Sequence, residues 1–198
     1  MIMQLAAIII LAAFYGCYFI KMFKQKRQGI KTDQIGKGKT GSAKLIELSM
    51  KAATILVPVA ELSCIIFNIS IMPTWARIFG ICIGILGTVV FITSVITMKD
   101  SWRAGVPQTD KTELVTSGIY QISRNPAFLG FDLVYIGILL MFFNWLLFVL
   151  SIFAIIMFHL QIVYVEESFL AKSFGEEYLV YKKRVNRYLG KKLNLKRC

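Results

Sequence analysis

A chain of 198 residues that is 57% hydrophobic and only 17% charged, with a positive mean hydropathy, carries too much apolar surface to fold in water at that size. Its formal net charge of +12 lies in segments without interleaved aromatics or a DNA-reading motif, which excludes nucleic acid as the expected partner and points to anionic lipid headgroups. Cys17, Cys64, Cys82 and Cys198 show no metal-binding or redox spacing, so no metal is expected; Cys198 also lacks the three following residues of a prenylation signal.

The first predicted element is a charge-free apolar run over residues 2–20, long enough to cross a bilayer core of ~30 Å. Lysines follow this run at Lys21, Lys24 and Lys26, the reverse of a secretory signal, so it reads as a retained helix. Residues 25–42, rich in glycine and lysine, read as a mobile loop. A second span runs over about 45–72 and contains Pro58, with Glu47 and Lys51 near one end read either as an i,i+4 pair or as side chains snorkelling to the headgroups, and Glu61 lying deeper. The third span, 78–98, has no charge, and Pro73 and Trp75 mark the turn before it.

A polar stretch over 99–126 precedes two further apolar runs, 127–143 and 145–165, joined only at Asn144; a link that short predicts a tight antiparallel helical hairpin. The first arm has about 17 residues and holds Asp132, which makes a full crossing marginal. Beyond it, Leu170, Phe174, Tyr178, Tyr181, Val185 and Tyr188 recur at spacings of three and four, the apolar stripe of a helix expected at the membrane interface. The expected fold class is therefore all-α integral membrane: about five transmembrane helices in a single membrane domain, an N-terminal three-helix part over 1–98 and a second part over 99–198.

Orientation follows from charge. Of the 23 Lys and Arg residues, 8 fall between Lys21 and Lys44, 4 between Lys99 and Arg124, and 9 from Lys172 onward. Five crossings put all three segments on one side, which the positive-inside rule makes cytoplasmic, with the N-terminus outside.

Polar groups gather in two of these cytoplasmic segments. One is Leu114-Val115-Thr116-Ser117-Gly118-Ile119-Tyr120 followed by Arg124-Asn125-Pro126-Ala127-Phe128; the other is Glu166-Glu167 followed by Phe174-Gly175-Glu176-Glu177-Tyr178. The hairpin returns the chain to its starting side, so Arg124 and Glu166-Glu167 are expected to be neighbours. Arg124 offers a planar fork for a carboxylate, and Pro126 is suited to the first turn of a helix whose free N–H groups face an anion. Arg124 also suits a membrane anchor and the glutamates a helix end, and the residues alone leave both readings open.

In order and spacing these pieces resemble the isoprenylcysteine carboxyl methyltransferases, membrane enzymes related to the phospholipid methyltransferases, over about residues 112–190. The resemblance implies S-adenosylmethionine as cofactor, held in a cytoplasmic pocket made from the loop and the hairpin arms, and a lipophilic substrate arriving from the bilayer. It places Leu114, Val115, Tyr120, Asn125, Pro126, Ala127, Phe128 and Glu166 at the cofactor, with Arg124 and Glu167 as the catalytic support. The sequence departs from the pattern at three positions: Asn125 where His is usual, Phe128 where Tyr is usual, and Ile162 where prenylcysteine methyltransferases carry a substrate-binding Arg. His159, Glu61 and Asp132 are the candidate bases for deprotonating an acceptor. An NADPH-dependent membrane reductase of related fold, or a binding protein with a degenerate pocket, are the alternative readings.

Overall fold

A computed structural model describes residues 1–106 and 112–191, so Cys198 lies outside it. The described chain forms six α-helices and no strand: α1 (Ile2–Arg27), α2 (Gly41–Ile66), α3 (Thr74–Met98), α4 (Pro126–Met141), α5 (Trp145–Leu160) and α6 (Glu167–Arg184), with a π-helical turn over Gln161–Glu166 between the last two. Four helical segments are long and apolar enough to cross a membrane: Ile2–Arg27, Gly41–Ile66, Thr74–Ser101 and Trp145–Arg184, the last kinked at Gly175, whose φ is +50°. At 16 residues α4 is shorter, about 24 Å at ~1.5 Å per residue.

Several boundaries differ from expectation: α2 covers Gly41–Ile66 where 45–72 was expected and α3 begins at Thr74 instead of 78, and two further shifts have local reasons. The first helix continues past Ile20 to Arg27, because Lys24, Lys26 and Arg27 in its last turn complement the helix dipole and end the apolar run without ending the helix. The last apolar run leaves α-helical geometry after Leu160, where the π-turn inserts extra backbone before α6 resumes. The hairpin itself forms at Phe142–Asn144, with the Asn144 side chain accepting from the Leu146 N–H at 2.8 Å as an N-cap.

The most extensive helix pair is α3 with α4. Glycines allow it: a Cβ on Gly80 would lie 2.6 Å from the Gly137 carbonyl oxygen, and one on Gly87 would lie 2.9 Å from that of Gly130. Small residues of this kind let two helix backbones touch where lipid supplies no hydrophobic drive for association. Around this seam Phe14, Phe91, Phe131 and Phe158 pack edge to face or tilted, and Tyr135 stacks on Phe158, joining α1, α3, α4 and α5.

Residues 25–42, expected to be a mobile loop, are tied down instead. Gln25 is fully buried, accepts from the Thr32 hydroxyl at 2.8 Å and donates to the Trp102 carbonyl at 3.0 Å. Gln34 donates to the Ala104 carbonyl, and Ala104 to that of Thr32, a short parallel bridge between two connecting segments. The expected Glu47–Lys51 pair does not form either: Lys51 bonds Asp33 at 2.9 Å, and Glu47 is buried against Lys39. In both cases the chain folding back over α2 supplies a better partner than the next helical turn.

Candidate functional site

The segments 99–106, 112–125 and 185–191 meet at one end of the bundle. The 3-10 turn Gly118–Gln121 starts at Gly118, whose φ of +58° favours glycine, and presents Tyr120 inward. The tail after α6 is stitched to the next stretch: Arg124 N–H donates to the Asn186 carbonyl at 3.1 Å, Gly190 N–H to that of Ile122 at 2.8 Å, and Asn125 Nδ2 to that of Arg187 at 3.0 Å. Asn125 is thereby fixed as the residue before α4, with Pro126 in the first turn as its fixed φ favours. Among the described residues no side chain caps this helix, so its free N–H groups and positive dipole end face the site uncapped.

A cavity of about 350 Å³ lies here, and Leu114, Val115, Tyr120, Asn125, Pro126, Ala127, Phe128 and Glu166 all line it, together with Arg124. Glu167 does not. It sits behind Arg124, 7% exposed, and gathers three cations: Arg124 Nη2 at 3.0 Å, Lys182 Nζ at 2.7 Å and Arg187 Nε at 2.7 Å. Arg124 also donates through Nη1 to the Tyr178 hydroxyl at 2.7 Å, which leaves its buried Nε without a partner among the described residues. The guanidinium is thus held from behind, with two of its five N–H groups committed to Tyr178 and Glu167.

Tyr120 accepts from the Tyr181 hydroxyl at its carbonyl, 2.6 Å away, while its own phenol pairs with Ser94 at 3.1 Å. Burial, with a smaller opposing effect from Ser94, pushes the Tyr120 phenol up to about 12, so the hydroxyl remains neutral and takes part in hydrogen bonds only as an uncharged group.

None of the three candidate bases lines the cavity. His159 turns away and pairs with the Tyr188 hydroxyl at 2.7 Å; Glu61 is fully buried in α2; and Asp132 lies on another face of α4. Ile162 is completely buried in the π-turn and presents nothing to the cavity. Most of the walls that the sequence did not mark come from the N-terminal half, Tyr15, Tyr18 and Phe19 of α1, Asp33 and Ile35 of the loop, and Met50, Lys51 and Ile55 of α2, joined by Phe91, Trp102, Phe131 and Phe158. Only their long-range contacts assemble them, and no local pattern marks them.

Comparison with known proteins identifies the family. The phospholipid methyltransferase family profile matches residues 75–177, from α3 into α6. The chain is 32% identical over 114 residues to protein-S-isoprenylcysteine O-methyltransferase of Tribolium castaneum, a match covering 56% of this chain and 40% of that one. It is 30% identical over 113 residues to protein-S-isoprenylcysteine O-methyltransferase B of Arabidopsis thaliana, covering 56% and 57%, and 32% identical over 122 residues to the protein-S-isoprenylcysteine O-methyltransferase of Saccharomyces cerevisiae, covering 61% and 51%. The match spans about half the length of these curated relatives. On the profile match, and as a multi-pass membrane protein, the chain belongs to the phospholipid methyltransferase family.

Proposed function

We propose that this protein is an S-adenosylmethionine-dependent membrane methyltransferase acting on a lipophilic acceptor. The observation that carries the reading is one cavity shared by Arg124, the uncapped start of α4, Glu166 and an aromatic wall. The residues fit such a cofactor: the Arg124 guanidinium and the α4 N-terminus suit a carboxylate, Glu166 suits an ammonium, and Tyr120 and Phe128 offer faces to a purine. When bound, S-adenosylmethionine supplies a methyl group already activated by its sulfonium. The protein then needs to orient the acceptor and exclude water, which Phe91, Phe128, Phe131 and Phe158 do along the cavity wall.

The acceptor proposed is lipid-like and lacks a carboxylate at the reacting end. Where prenylcysteine methyltransferases place a substrate arginine, Ile162 is buried, and a carboxylate desolvated there would have no cation. The cavity wall extends to Phe19 and Ile55, which are 47% and 58% exposed on the outer face of the bundle, a path by which a bilayer amphiphile reaches the site. With α4 counted as a fifth crossing, the basic segments and the cavity lie on the cytoplasmic side, the N-terminus lies outside, and α6 rests at the interface with its lysines near anionic headgroups. In this reading residues 1–98 supply the lipid-facing wall and residues 99–198 the cofactor contacts of one membrane domain.

Calorimetry on the detergent-purified protein with S-adenosylmethionine, S-adenosylhomocysteine and NADPH tests the reading. Binding of the first two without the third is expected. Binding of NADPH alone would replace the methyltransferase by a reductase, and a folded sample that binds none of them is a degenerate pocket.

A further inference from the structure

Glu47 is the one carboxylate in the cytoplasm-facing half of α2 that is completely buried, and it lies outside the residues matched by the family profile. A buried carboxylate is costly unless paired and hydrogen-bonded, and this one is both. Lys39, whose side chain is 9% exposed, forms an ion pair with it, the Gly36 N–H donates to Oε2, and Gln161 Nε2 donates to Oε1 at 3.1 Å across a separation of 114 residues. The contact with Gln161 matters for the site. Gln161 opens the π-turn that Glu166 closes, and a five-residue separation in π geometry brings both side chains to the same face. Glu166, Glu47 and Lys39 are also within electrostatic reach of one another.

A π-turn is a less favourable backbone than the helix on either side of it, so its position depends on outside contacts. Here those contacts come from α2 and the connecting loop. We infer that Glu47 is a positioning residue for Glu166, acting through Gln161 to hold the π-turn so that Glu166 faces the cofactor cavity. The inference rests on the methyltransferase reading for what Glu166 binds, but the geometry of the relay does not.

The experiment is a double-mutant cycle in the full chain, with S-adenosylmethionine affinity read by calorimetry in Glu47→Gln, Glu166→Gln and the double variant. Glu47→Gln is expected to weaken binding on the order of tenfold alone and to have almost no effect once Glu166 is already Gln, the non-additivity of residues acting as one unit. A loss that is the same in both backgrounds means Glu47 merely supports the fold and overturns the inference. Gln161→Leu breaks the relay while keeping the Lys39–Glu47 pair, and should reproduce the loss even where Glu47→Gln folds poorly. Amide hydrogen exchange over residues 161–167 in the unliganded protein gives a second readout. Faster exchange there in Gln161→Leu supports the relay, and unchanged protection removes it. Should the wild type bind no S-adenosylmethionine, the proposed function falls, while the exchange data still decide the role of Glu47.

Discussion

Arg124 and Glu167 lie 43 residues apart and meet at 3.0 Å, both less than a tenth exposed, at the point where the start of α4 faces the start of α6. The pair is asymmetric. Glu167 has two other cations, Lys182 and Arg187, whereas Arg124 has one carboxylate and a phenol behind it and the cavity in front. Removing Arg124 therefore costs the cavity more than it costs the fold.

Arg124→Ala should purify as a folded protein, because Glu167 keeps two partners, yet bind S-adenosylmethionine at least roughly tenfold more weakly, the scale of losing a charge-assisted hydrogen bond. Arg124→Lys should not rescue it, since a single ammonium cannot serve Tyr178, Glu167 and a ligand from one plane. Calorimetry beside a melting curve separates the two effects. Unchanged affinity in a folded sample would mean that the cofactor does not use Arg124.

Asn125→His bears on the departure from the family pattern. Asn125 Nδ2 donates to the Arg187 carbonyl at 3.0 Å, and the Nδ1–H of a histidine occupies nearly the same place, so the tail should stay docked and affinity for S-adenosylmethionine should hold or rise. Weaker binding together with faster proteolysis of the tail would show that this pocket has been rebuilt around an amide.

Most of the helices were legible because lipid makes them so: uninterrupted apolar runs announce α1, α3 and α5, and the single polar Asn144 between two runs announces the hairpin. The eight positions that the family resemblance assigns to a cofactor fall in two separate pieces of sequence, 114–128 and 166, and the structure brings all eight to one cavity. The N-terminal wall was not legible. Gln25, Thr32 and Glu47 are buried by partners 77, 7 and 114 residues away, and a local rule such as the i,i+4 pair assigns Glu47 to the wrong lysine. The π-turn was equally hidden, because one widened turn hardly disturbs the apolar period of the helix that contains it.

The α3–α4 seam gives a stability prediction with its own control. A methyl group on Gly137 would come within 2.6 Å of the Gly84 backbone nitrogen, a backbone atom that cannot swing aside. Gly137→Ala should destabilise by roughly 1 to 3 kcal/mol as overpacking forces the helices apart, and it should also lower cofactor affinity, because α4 carries Asn125 and Phe128 at its start. Gly16→Ala meets nothing within 4 Å and should be neutral or stabilising, by up to about 1 kcal/mol, through helix propensity alone. Equal melting temperatures for the two variants in the same detergent would show that the glycine seam has room for a methyl group.

Glu61 gives a prediction of opposite sign. Its side chain is completely buried near Tyr15 and Tyr135, and neither carboxylate oxygen has a hydrogen-bond partner among the described residues. It does not line the cavity. An unsatisfied carboxyl group buried inside a helix bundle costs on the order of 1 to 3 kcal/mol, which a well-packed apolar side chain of similar volume would recover. Glu61→Leu should therefore raise the melting temperature in detergent and leave S-adenosylmethionine affinity unchanged, while Glu61→Gln, which still buries a polar head, should gain less. A lower melting temperature for Glu61→Leu would reveal that the carboxyl group is satisfied in the membrane, and a loss of turnover with binding intact would make Glu61 a residue used by the acceptor.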